Sequence, residues 1–128
     1  MYTFDKQLTD TTFEAAVAHT KEVLAAHGFG VLTEIDVRKT MKTKLDADML
    51  GYVILGACNP KMALEALKLE PRVGAMLPCN LIVREQADGT VEVSAINPVA
   101  SMTAIENDAL HVVAGRVKDM LSEVVRAL

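Results

Sequence analysis

Tyr52-Val53-Ile54-Leu55-Gly56-Ala57-Cys58-Asn59-Pro60 and, further on, Leu77-Pro78-Cys79-Asn80-Leu81 are the stretches whose reading decides the fold. The first belongs to a nearly unbroken apolar run from Leu50 to Cys58 and reads as a central strand buried on both faces. Asn59 and Pro60 are an N-cap and N1 pair, so a helix starts here, with Met62, Ala63, Ala66 and Leu67 as its buried stripe. It must stop before Pro71. Gly74 permits a bend, and Met76 to Glu85 reads as the returning strand.

Towards the N-terminus, residues 2–8 alternate as a strand. Thr11 and Glu14 have capping-box spacing, and Phe13, Ala16, Val17, Val23 and Leu24 recur at helical intervals up to Gly28, which suits the C′ position. Phe29 to Val37 predicts a second strand with Val31, Thr33, Ile35 and Val37 on one face. Asp36 can cap a short helix to about Leu45, with Val37, Met41 and Leu45 turned inward and Arg38, Lys39, Lys42 and Lys44 on a solvated face. Beyond the centre, Asp88-Gly89 signals a hairpin into a strand over 90–96, which Asn97-Pro98 ends. Residues 98–105 form a short helical or looped crossover. The last helix carries Leu110, Val113, Ala114, Val117, Leu121, Val124, Val125 and Leu128 along one face.

The order is β-α-β-β-α-β-β-α, with a short helix after the second strand. It predicts one α+β domain over residues 1–128, its sheet mostly antiparallel and its helices on one face. With 128 residues, 51% apolar and 23% charged, the chain is globular and large enough to close a core. A net charge of −4 argues against a nucleic-acid groove, where Lys and Arg must displace counterions. No apolar stretch approaches the ~20 residues needed to cross a bilayer, and no targeting segment is visible. A cytoplasmic location is expected, and there two cysteines are free thiols more often than a disulfide.

Asp36-Val37 followed by a Lys-rich segment, Leu55 through Pro60, Ala63, Ala66-Leu67, Glu70-Pro71, Gly74, Leu77 through Asn80 and Asn97-Pro98 together resemble the family called domain of unknown function 302 (DUF302). The resemblance covers almost the whole chain. It implies a curved antiparallel sheet with helices on one side, similar to the TATA-box-binding-protein arrangement, and self-association as a homodimer. It implies no activity, and a fold shared with a DNA-binding saddle carries no DNA binding with it.

Cys58 and Cys79 are the candidate reactive residues. A thiol beside a helix N-terminus is favoured as thiolate by the free amides and the dipole, while a cysteine ending an apolar strand is equally a small hydrophobe. If the strand–helix–strand excursion returns Cys79 to the same end of the sheet, the pair can cycle between dithiol and disulfide, carry a sulfane sulfur or hold a soft metal. Two thiolates do not complete a zinc site, and His19, His27 and His111 lie on helices far from them in sequence, so no metal and no cofactor is expected. Asn59 and Asn80 can present amides to a ligand, with capping as the simpler duty of Asn59. Pro78 and Arg72 lie near the same chain reversal as candidate lining residues. Two functions remain open: a dimeric module binding a small ligand or partner near Cys58 and Cys79, and a thiol-dependent sulfur carrier or redox protein. No residue pattern fixes a reaction.

Overall fold

The computed structural model describes all 128 residues. Five strands, β1 (Thr3–Leu8), β2 (Gly30–Asp36), β3 (Tyr52–Cys58), β4 (Cys79–Glu85) and β5 (Val91–Ile96), form one sheet in the order β1-β5-β4-β3-β2. Every pairing is antiparallel. The helices are α1 (Phe13–Ala26), α2 (Val37–Leu45), α3 (Pro60–Leu69), α4 (Pro98–Ser101) and α5 (Asp108–Ala127), with a 3-10 helix at Pro71–Met76. The α+β class and the element order agree with the sequence.

Local chemistry sets most boundaries. Gly28, at φ +83°, ends α1. The Phe29 amide donates to Leu24 O and the Gly28 amide to Ala25 O, which closes a Schellman motif over two buried apolar side chains. Asp36 caps α2 by accepting from the Lys39 amide at 2.9 Å. The cap of α1, however, is Thr12, whose hydroxyl accepts from the Ala15 amide at 3.1 Å. With Thr12 at Ncap the N3 residue is Ala15, so the Thr11–Glu14 box does not form. Asn107 caps α5, accepting from the Leu110 amide at 3.0 Å, and its amide group donates to Leu69 O at 3.0 Å. One asparagine thus satisfies the start of α5 and the end of α3.

The main core lies between the sheet and α1 with α5. Leu55, Leu81 and Ala95 form one fully covered row across three strands, and Val53, Val83 and Val93 the next. The opposite face of the sheet is only partly covered, so β3 is not buried on both faces. Val53, Leu55 and Ala57 are buried, whereas Tyr52 and Ile54 are only half-buried. On that face Glu92 accepts from Arg84 Nε at 2.9 Å and from Gln7 Nε2 at 2.6 Å across three strands.

Two further expectations at the sheet's edge fail. A bulge between Val31 and Thr33 shifts the register of β2, so the expected alternation is lost and Leu32 and Ile35 stand in solvent. The helix that follows is carried to the margin of the sheet: α2 buries no residue, and Leu45 points outward. The returning strand also starts later than expected, at Cys79, because Pro71–Met76 winds as 3-10 helix before the cis Leu77–Pro78 peptide.

Candidate functional site

Where β3 ends and β4 begins, the layer of helices leaves a gap. The helix α3 packs on the 3-10 helix and on α5 rather than on the sheet. Its stripe of Met62, Ala63, Ala66 and Leu67 therefore faces a cavity of about 330 Å³. Ala57, Cys58, Pro78, Cys79, Met102 and Leu110 are among the other residues that line it.

Both cysteines border this cavity, and both are free. Ala57 is the cross-strand partner of Cys79, so those two share a face of the sheet and strand alternation turns the Cys58 side chain to the other. Cys79 is buried and Cys58 half-buried. Burial, followed by the charge that Cys58 can carry, pushes the Cys79 thiol from its ordinary 9.0 up to about 11. Cys79 is thus held as a neutral thiol.

Asn59 is spoken for at both ends. Its Oδ1 accepts from the Met62 amide at 3.1 Å, capping α3, and its Nδ2 donates to Gly28 O at 3.2 Å. The helix N-terminus beside Cys58 is thereby served by Asn59.

Of the six residues read from the sequence as site candidates, Cys58, Cys79, Asn59 and Pro78 line the cavity. Asn80 and Arg72 do not. Strand alternation places Asn80 on the open face of the sheet, beside Tyr52, Ile82, Arg84 and Ile96. Arg72 projects into solvent from the 3-10 helix, where its amide donates to Glu70 Oε1. Met62 was read only as core, and Met102 was not singled out at all, yet both line the cavity. No group of three His, Cys, Asp or Glu side chains is placed to hold a metal ion.

Gly56 sets the position of Pro78. It pairs with Thr33 on one side and Asn80 on the other, and a Cβ there would stand 2.7 Å from Pro78 Cγ and closer still to Thr33 Oγ1. Gly56→Val should therefore displace Pro78 or Thr33 and cost about 1–3 kcal/mol by overpacking. A lower urea midpoint at unchanged slope checks this; an unchanged midpoint would show that the two neighbours yield freely.

The sequence profile described as "Domain of unknown function DUF302" matches residues 4–128. The chain belongs to the DUF302 family. A crystal structure of an uncharacterized conserved DUF302 protein from Bacillus stearothermophilus is 27% identical to it and superposes with a TM-score of 0.90. The match covers 98% of this chain and 97% of that one, so the sheet order and the helices around the cavity belong to a DUF302 fold as a whole. Among curated proteins nothing matches. No helix of this DUF302 chain is long and apolar enough to cross a membrane.

Proposed function

We propose that the chain is a binding module, one α+β domain over residues 1–128, which takes a small uncharged apolar molecule into the cavity beside Cys58 and Cys79 and works as a cytoplasmic homodimer. The lining of the cavity carries this reading. Fourteen of its eighteen residues are hydrophobic, and Asn59, whose amide is already engaged at both ends, is the only polar side chain apart from the two thiols. A charged ligand would lose its hydration there without a partner. The volume of about 330 Å³ lies near the lower bound of small-molecule sites, roughly 300–1,000 Å³.

A neutral fluorescent probe such as N-phenyl-1-naphthylamine tests it. Ala66→Leu and Ala114→Leu each extend a side chain from the cavity wall and should weaken probe binding at least tenfold while the circular dichroism spectrum is kept. A wild-type chain that leaves the probe dark, or variants that bind it equally well, would remove the reading.

The homodimer is supported by the free edge at β2. Leu32, Ile35, Leu45 and Leu50 are exposed by 67%, 48%, 70% and 47% around it. A helix as short as α2 that buries nothing lacks the packing that normally holds helices below ~12–15 residues in water. Leu45→Glu should halve the molar mass seen by light scattering; a wild-type monomer would sink this part alone.

A second reading, a thiol-dependent sulfur carrier or redox protein using Cys58 and Cys79, is favoured by one observation: both cysteines are among the residues that border the cavity. In that case Cys58 is the attacking thiol, since Cys79 is kept neutral. Brief iodoacetamide labelling should then modify Cys58 and spare Cys79, and slow labelling of both, limited by unfolding, would remove it.

A further inference from the structure

The face of the sheet turned away from α1 and α5 holds a cleft of about 630 Å³. The strand pairings set its layout. Ile82 of β4 lies opposite Ser94 of β5, and Ser94 opposite Asp5 of β1. Asn80 and Arg84 stand two residues to either side of Ile82 and so share its face, and Tyr52 of β3 pairs with Arg84. Ile82 is thus bordered by an amide, a hydroxyl, a guanidinium and a phenol, with the Asp5 carboxylate one strand further out.

Most of these groups have no use within the protein. Ser94 is only 4% exposed, yet its hydroxyl makes no hydrogen bond to another protein group. A buried hydroxyl is almost always paired, so its partner must come from whatever fills the cleft. The side chains of Asp5, Asn80 and Tyr52 are likewise without a hydrogen-bond or ion-pair partner.

Charge selects the occupant. Glu92 Oε1 accepts from Arg84 Nε at 2.9 Å and lies 2.8 Å from Nη2, while its Oε2 accepts from Gln7. The guanidinium charge is spent on Glu92, so an anion would meet only the free carboxylate of Asp5. A cation offers no acceptor, and would leave the amide N–H groups of Asn80 and the remaining ones of Arg84 facing it unpaired. The ligand must be neutral and carry both donors and acceptors, because Asp5 only accepts, Arg84 only donates, and Asn80, Ser94 and Tyr52 do both. Hydroxyls arranged around an apolar C–H face describe a sugar ring, whereas a nucleobase has its polar atoms only along the edges of a plane. We propose that this cleft binds a neutral saccharide, its C–H face on Ile82 and its hydroxyls on Asp5, Asn80, Ser94 and Arg84.

The protein carries its own reporter. It has two tyrosines and no tryptophan, and both tyrosines, Tyr2 and Tyr52, line this cleft. Tyrosine emission of the full chain is followed during titration with glucose, galactose, N-acetylglucosamine, cellobiose, maltose and lactose, with alanine, uridine and putrescine as controls. At least one sugar should change the emission saturably, and no control should. Asp5→Ala and Ser94→Ala each remove one hydrogen-bonding group and should weaken that sugar at least tenfold, with the circular dichroism spectrum unchanged. The proposal is overturned if no sugar of the set gives a saturable change, if a control binds where the sugars do not, or if either variant binds the sugar as wild type does. It does not rest on the apolar-cavity reading. Both variants should still bind the naphthylamine probe, so the loss of one kind of binding alone shows which reading has failed.

Discussion

Between pH 9 and pH 11 the fold should lose about 2–3 kcal/mol through Cys79 alone. Folding holds this thiol neutral: burial raises its pKa from 9.0 to about 11, and the charge on Cys58 adds to the effect. The unfolded chain, with Cys79 in water, releases that proton as the pH passes 9. Over the next two pH units unfolding therefore releases a proton that the native state keeps, and stability falls as pH rises. Below pH 9 both states hold the proton and the group contributes no slope. Above 11 both have lost it and the loss is complete. Urea midpoints at pH 8, 9, 10 and 11, taken as the difference between wild type and Cys79→Ala, isolate this from the lysines and tyrosines that titrate nearby. Parallel curves for the two proteins would mean that Cys79 is solvated through the cavity, which would also weaken the case for a dry apolar site.

Leu81→Ala should be the most damaging single truncation in the chain. Leu81 has no exposed surface and sits in β4, the middle strand of five, flanked by Leu55 on β3 and Ala95 on β5. The sheet backbone on both sides is fixed by hydrogen bonds and cannot collapse into the space, so the transfer and cavity costs should add to about 3–5 kcal/mol. Against a total stability of roughly 5–15 kcal/mol, that leaves little margin. A fall in the urea midpoint that corresponds to less than 1 kcal/mol would show that α1 and α5 shift to refill the core. Leu64→Ala, at an exposed site on α3, is the matched control and should change little.

The parts of the fold that were legible in the chain are those whose cause is local. Asn59-Pro60, Asp36 and Gly28 act on amides and carbonyls within a few residues, so their roles follow from position alone. The stripe from Leu110 to Val125 and the hairpin at Asp88-Gly89 are equally local, and the latter forms with Gly89 at φ +86°. The choice of Thr12 over Thr11 as the cap was not legible, since adjacent threonines have the same chemistry and only the path of entry into α1 selects one. The place of Asn80 was legible in principle: side chains in a strand alternate, so Cys79 and Asn80 cannot share a face. The bulge at Val31–Thr33 is different, for it is decided by pairing with β3, and one extra residue turns Leu32 and all that follows.

From the sequence alone came the apolar periodicities, the caps and turns, and hence the order of strands and helices. These are set by interactions over a few residues, which any window of the chain contains. Only the tertiary structure decided that α3 leans on α5 and the 3-10 helix instead of the sheet. That choice depends on how helices share a limited sheet surface, and it leaves the cavity bordered by residues of β3, α3, β4 and α5. Those elements lie far apart along the chain, and no local signal links them.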